Sequence, residues 1–384
     1  MLDNPMPVIA TPEQRLSAHA PASGVRALEA HDIGRVADLY ARVMRSRIPP
    51  PTLHARLARI LLHHPWRDAS LPSLVYEHRG EVVGCLGVLP RPMTFEGSPI
   101  RVAVGHSFIV EPGSRSTLAA LELERQFFAG PQDLSLAEGN DASRAIWERC
   151  GGFTSLVYGL HWTKPLKPGQ YALAYAARRG LPRALTTALR PACRLADALA
   201  TTIPRGPFRF VAPAVASAPL DVRTLTEAAQ ALTRQRALQP CYDASSLDWL
   251  IETLSEKTDL GALDRVIVHD ERGDAIGWYL YFVRAGGIGT VVQLAAREDR
   301  AETVLEHLFH HAARRGAIAV GGQIDPALFH AYSRKGCLFH HDGRSWMLFQ
   351  SRHSQLCQAI YRGDGFITRL DGEWWVGAYL SNAP

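Results

Sequence analysis

The sequence predicts an α/β (α+β) chain built from two similar consecutive units, each a mixed, mostly antiparallel sheet flanked by helices. Three observations carry this. The 384 residues exceed what one small core needs, so two domains are expected. A composition of 47% apolar and 21% charged residues is that of an ordinary globular protein. The chain also resembles itself at a fixed offset. Arg115 and Arg300 are 185 positions apart, and so are Asn140 and Asp325, Trp147 and Tyr332, and Gly151 and Gly336.

Each unit opens with a short strand, Val25–Leu28 and Val222–Leu225, followed by helices over Asp32–Met44 and Thr52–His64, then Thr226–Leu238 and Ser245–Glu256. Leu39, Val43, Leu57, Ile60 and Leu61 recur at helical spacing and predict a buried stripe. A hairpin follows in each unit: Leu74–His78 and Val82–Val88 around Arg79-Gly80-Glu81, and Val266–His269 and Ala275–Leu280 around Glu271–Asp274. A third strand (Ile100–Val110, Thr290–Ala295) leads into a helix (Arg115–Phe128, Arg300–Arg314). The predicted domains are 25–165 and 220–384, with a tail over 1–24.

Between them, 166–219 is rich in proline and basic residues. From Lys164 to Arg209 there are nine basic residues and one acid, Asp197. Ala172–Arg179 and Leu185–Leu199 are amphipathic helix candidates. They suit either an anionic partner or membrane surface, or a linker whose helices pack across the two domains; the second is the expectation.

Only four of the 42 basic residues are lysine. With the abundant alanine, this indicates GC-rich bacterial coding rather than a surface for nucleic acid, and no nucleic-acid partner is expected. No apolar run reaches the ~18–20 residues of a membrane span, and the first residues lack a secretory pattern. Six dispersed cysteines without a CxxC pair exclude a zinc knuckle and predict reduced thiols in a cytoplasm. No metal is expected.

The order strand, two helices, three antiparallel strands, helix, strand, helix, final strands resembles the GCN5-related N-acetyltransferase (GNAT) superfamily, over about residues 25–163 and again 220–350. In that family the fourth strand ends in a loop opening a helix, usually Arg/Gln-x-x-Gly-x-Gly/Ala, whose backbone N–H groups cradle the coenzyme A pyrophosphate. The matching stretch here is Val110-Glu111-Pro112-Gly113-Ser114-Arg115-Ser116-Thr117-Leu118-Ala119-Ala120, with Leu118 where the first glycine is usual. The second copy, Arg297-Glu298-Asp299-Arg300, places acids where a polyphosphate would sit and has no glycine. Its expected role is to pack on the first and shape an acceptor pocket.

The family also carries an Asn after the fifth strand and a Tyr seven residues later. Asn140 fits the first, implying a contact to the pantetheine arm. Trp147 replaces the second and gives up no proton near neutral pH. Tyr332 supplies the phenol in the other unit. The cofactor-binding set the resemblance implies is Ile109, Val110, Gly113, Ser114, Arg115, Ser116, Thr117, Leu118, Ala119, Asn140 and Arg144. Acyl transfer needs a neutral amine, so a base should lie on the central strands, where His106, Glu111 and Glu138 are candidates. The segment Phe366–Trp375 is rich in aromatics and acids and reads as either an acceptor lining or a packing strand.

The resemblance implies an N-acyltransferase using acetyl-CoA or another acyl-CoA, acting on an amine of a small molecule or peptide. The alternatives are a non-catalytic GNAT-like binding scaffold, and an aminoacyl- or O-acyltransferase on the same fold.

Overall fold

The computed structural model describes residues 23–113, 116–204, 206–341 and 345–381. The first half runs β1 (Gly24–Ala27), α1 (Ile33–Met44), α2 (Pro50–Leu61), β2 (Leu74–His78), β3 (Glu81–Phe95), β4 (Ser98–Val110), α3 (Ser116–Phe128), β5 (Leu134–Gly139), α4 (Asp141–Arg149), β6 (Phe153–Ser155) and β7 (His161–Pro165). A helical pair follows, α5 (Pro168–Arg178) and α6 (Arg183–Thr202). The second half runs β8 (Ala216–Pro219), α7 (Val222–Leu232), β9 (Leu238–Pro240), α8 (Ala244–Ser255), β10 (Ala262–His269), β11 (Ala275–Val283), β12 (Ile288–Ala296), α9 (Ala301–Arg314), β13 (Ala319–Gln323), α10 (Phe329–Arg334), β14 (Leu338–His340) and β15 (Trp346–Ser351). Two helices end it, α11 (Ser354–Arg362) and α12 (Trp374–Leu380).

Local chemistry explains the main boundaries. Arg79-Gly80 and Glu96-Gly97 all take positive φ, as two-residue hairpin loops of the I′ kind require. Three of the four pairs matched at a spacing of 185 do matched jobs. Asn140 and Asp325 each accept a backbone N–H at a helix start. Gly151 and Gly336 take φ of 94° and 65° where α4 and α10 end, the left-handed turn that favours glycine. Trp147 and Tyr332 are the buried aromatics of those helices.

One predicted strand is overturned. Val222–Leu225 begins α7, because the Asp221 side chain accepts the Thr224 N–H at 2.7 Å and caps the helix there. The opening strand of this half is β8, which pairs with β10.

The sheets reveal an exchange that hydrophobic patterning does not predict. The first sheet has the order β1-β2-β3-β4-β5-β15-β6, and the second β8-β10-β11-β12-β13-β7-β14. Each half therefore sends its last strand between two strands of the other's sheet. Met347 of β15 pairs with Glu138 on one side and Ser155 on the other, and Thr163 of β7 pairs with Gly321 and Leu338. In addition, β9 joins the far end of β3.

One hydrophobic core runs through both halves, from Leu53, Leu57 and Ile60 of α2 to Leu247, Leu250 and Leu254 of α8 and Trp375 of α12. Trp249 bridges Trp66 and Trp375 edge-on, with ring centroids 5.6 and 5.8 Å away. Beside it a buried pair, Arg91 and Asp371 (3.2 Å), ties β3 to the C-terminal segment. Smaller cores lie on the outer faces of each sheet.

The helical pair departs from the expected packing across the halves. Within α5 and α6 only Asp197 is buried, where it accepts the Gly169 and Gln170 N–H groups and caps α5. Leu185, Leu189, Leu195, Leu199 and Ile203 remain 45–64% exposed. Among the described residues, no helix is long and apolar enough to cross a membrane.

Candidate active site

Strands β4 and β5 are parallel neighbours only from Val102–Val104 to Leu134–Leu136; beyond that they part. The cause lies in β4. Cys85 pairs with Ile109 while Gly87 pairs with His106, so β4 carries an extra residue there. Ser107 absorbs this bulge with a φ of 50°, a left-handed conformation that costs a serine ~1–3 kcal/mol and must be held by its surroundings.

The gap encloses a cavity of about 240 Å³. Gly105, Ser107, Phe108 and Ile109 line it from β4, and Ala137, Glu138 and Gly139 from β5. Tyr40 and Met44 come from α1, Glu124 from α3, Asn140, Ser143 and Trp147 from α4 and its cap, and Ser345 and Leu348 from around β15. Glu373, Gly377 and Leu380 close it from the C-terminal segment. That segment is helical over 374–380, not the edge strand that was one expectation for it.

Glu373 occupies the mouth of the divergence. The Ser107 N–H donates to its Oε1 at 3.2 Å, and the Glu138 N–H donates to its Oε2 at 2.9 Å. One carboxylate thus joins the bulge of β4 to β5. Burial pushes its pKa up to about 8, Glu138 and Glu124 push the same way, and the two N–H donors oppose them. Burial alone pushes Glu124 to about 8, and its Oε1 has no hydrogen-bond partner among the described residues. Glu138 accepts from the Ser345 hydroxyl at 3.0 Å. Burial, and then Glu373, push the Tyr40 phenol up to about 12.

The structure brings Ile109, Glu138 and Asn140 together at this cavity and sets other candidate residues apart. His106 points to the opposite face of β4, where Gly87 makes room for it; a Cβ on Gly87 would lie 2.3 Å from the imidazole. It is fully buried, and burial followed by His64 depresses its pKa to about 3. It is therefore a neutral packed ring and not the base of the cavity. Glu111 is half-exposed on the surface, 3.3 Å from Arg42. Tyr332 lies in the other half, stacked on Trp162 with centroids 5.0 Å apart, so it offers no proton here. Arg144 turns along its own helix to Glu148 (2.8 Å) and over the Trp346 ring.

Asn140 uses its Oδ1 to cap α4, accepting from the Ala142 and Ser143 N–H groups. Trp147 is a core aromatic whose Nε1 donates to the Phe349 carbonyl at 3.0 Å. At the phosphate-loop candidate, Val110 pairs with Gly84, and the Glu111 N–H is taken by the Val83 carbonyl. Ser114 and Arg115 lie outside the described residues. Helix α3 opens at Ser116 and Thr117, so its first-turn N–H groups have no acceptor within the helix. Leu118 is 51% exposed, whereas Ala119 is buried. Gly113 is exposed.

The corresponding place in the second half is filled. Between β12 and β13 only about 20 Å³ remains, lined by Gln293, Gln323, Tyr332, Thr368 and Arg369. Arg369 donates to the Val291 carbonyl at 3.1 Å, and Gln293 to Thr368 at 3.2 Å. Residues just before Glu373 thus plug this gap. Glu124, Ser107 and Tyr40 were not singled out in the sequence, where nothing separates them from other residues of amphipathic helices and strands. Glu373 had one signal, an acid beside Trp374 and Trp375 in a segment with no repeat counterpart.

No family model matches the chain, and no curated protein matches it. Solved structures do. A conserved protein of unknown function from Enterococcus faecalis V583, described as a probable N-acyltransferase, is 12% identical with a TM-score of 0.54, over 86% of this chain and 72% of that one. A GCN5-related N-acetyltransferase from Anabaena variabilis ATCC 29413 is 12% identical with a TM-score of 0.52, over 85% and 72%. Another from Kribbella flavida is 13% identical with a TM-score of 0.52, over 85% and 71%. At such identities the likeness is one of fold. With the element order and the β4–β5 divergence, it shows a GNAT-like fold in a chain of two like-built halves.

Proposed function

We propose that the chain is an acyl-CoA-dependent N-acyltransferase, with acetyl-CoA as the simplest donor, acting on an amine of a small molecule or peptide in its first half. One observation carries this reading: the Ser107 and Glu138 N–H groups converge from two strands on the oxygens of one carboxylate inside the β4–β5 gap. Donors fixed in this way suit an acyl oxygen on which charge develops. The cavity of about 240 Å³ has room for a thin acyl-bearing arm, and the gap of about 20 Å³ in the second half does not. The helix-start N–H groups of α3 suit a diphosphate.

A thioester supplies an activated acyl carbon and a thiolate leaving group. Ser107 and Glu138 N–H groups hold the acyl oxygen. Glu138, Glu124 and Glu373 line the cavity around the acceptor, and Glu373, in the deprotonated form it reaches as pH passes about 8, takes the proton of the amine. Trp147 has its N–H committed to Phe349, so Tyr40 is the phenol this cavity offers as a proton donor.

The hold of Glu373 on both amides favours a second reading, a scaffold whose gap is closed by its own tail. Calorimetric titration with acetyl-CoA and longer acyl-CoAs separates the two. Ligand at 100 times its dissociation constant stabilises the protein by ~2.7 kcal/mol. Arg115→Glu removes the binding and Arg300→Glu retains it; binding of no acyl-CoA sinks the enzyme reading.

A further inference from the structure

Helix α6 presents an apolar seam that nothing in the chain's described residues covers. Leu185, Leu189, Ala192, Ala196 and Leu199 of the helix and its C-cap Ile203 follow one another at intervals of four, three, four, three and four, the spacing of a coiled-coil seam. All six are exposed, Leu185 and Leu189 by 50% and 45%, Leu199 and Ile203 by 60% and 55%. Helix α5 packs on another side of α6, where Asp197 caps it. The seam is therefore not the contact between the two helices of the pair.

We propose that this seam binds a second copy of the chain, in an antiparallel two-fold dimer. One feature selects that occupant and a second permits it. The seam reads large, large, small, small, large, large in both directions, so it is complementary to itself when reversed. Leu185 then meets Ile203 of the other copy, Leu189 meets Leu199, and Ala192 meets Ala196, with the alanines at the closest approach. The second feature is charge. No charged residue flanks the seam between Thr186 and Thr202, while Arg183, Arg190 and Arg194 lie on the opposite face of the helix. Two such helices meet without repulsion. Leucines on one face and arginines on the other are also the pattern of a helix lying on an anionic lipid surface; the reversed self-match of the seam is what favours a second copy.

The test uses the full chain. Light scattering after size exclusion at micromolar concentration gives a dimer, and Leu189→Glu with Leu199→Glu gives a monomer with an unchanged circular-dichroism melt. An equimolar mixture of Ala192→Cys and Ala196→Cys chains forms an oxidised 192–196 cross-link, mapped by mass spectrometry, that neither variant forms alone. Removing residues 1–22 leaves the dimer intact. A monomeric wild type, a dimer indifferent to the two glutamates, or a cross-link formed equally within either single variant overturns the proposal. So does a monomer that floats with phosphatidylglycerol vesicles through this seam.

Discussion

Replacing Glu124 with glutamine tests the electrostatic state of the cavity without requiring any substrate. Glu124 is 2% exposed on α3, and burial moves its pKa from an ordinary 4.5 to about 8. Between those values the folded protein binds a proton that the unfolded chain has released, so stability falls as pH rises. The slope approaches ~1.4 kcal/mol per pH unit, and the loss between pH 5 and 8.5 is on the order of 4 kcal/mol for this one group. Glutamine has the same shape and no charge, so Glu124→Gln removes that slope. Urea unfolding followed by tryptophan fluorescence at pH 5, 6.5 and 8.5 measures it. Wild type and variant are nearly equal at pH 5, and the variant is the more stable at pH 8.5 by most of that amount. Parallel pH profiles would show that the cavity is well hydrated, and the raised pKa of Glu373 would lose its physical basis with them.

Glu373→Gln lowers kcat by roughly 10²-fold or more without raising KM for the acyl-CoA, and abolishes the rise in rate as pH passes through about 8, where Glu373 becomes the free base; an unchanged pH–rate profile assigns the proton elsewhere. Gly152→Ala puts a Cβ 2.1 Å from the Trp147 indole and destabilises the protein by ~1–3 kcal/mol in denaturant titration. Residues 1–165 expressed alone lack β15 and leave an edge of β5 unpaired, so they aggregate, and co-expression with 166–384 recovers soluble protein. A soluble, folded 1–165 fragment would show the exchanged strand to be dispensable.

Much of the fold was legible because single residues carry local demands. Asn140 and Asp325 are short oxygen side chains at helix starts, Gly151 and Gly336 sit where φ must be positive, and Trp147 lies on the inner face of α4. The same locality misled at Val222–Leu225. Its likeness to Val25–Leu28 suggested a strand, but Asp221, three residues before Thr224, is a helix cap. His106 offered a titratable ring on a central strand, and only the space opposite Gly87 decides which way it faces. The exchange of β7 and β15 could not be read at all, since alternation of apolar residues specifies a buried strand without specifying its neighbours. Glu373 was hidden for the same reason: its role depends on which gap the C-terminal segment reaches.

That segment is what makes two like-built units unlike. Residues 366–372 fill the β12–β13 gap with Arg369 and Thr368, and the next residues carry Glu373 to the β4–β5 gap, where they leave about 240 Å³ open. The cavity therefore belongs to neither half alone. Its strands come from the first, while its lid carboxylate and the strand that backs Trp147 come from the second. On the proposed function, Glu373 and an acyl oxygen compete for the same two N–H groups. An acyl group can settle there only as Glu373 releases at least one of them, and release uncovers the Glu373 carboxyl beside the incoming amine. Occupation of the oxygen site and exposure of the base then become a single event, which a base carried on a rigid strand could not provide.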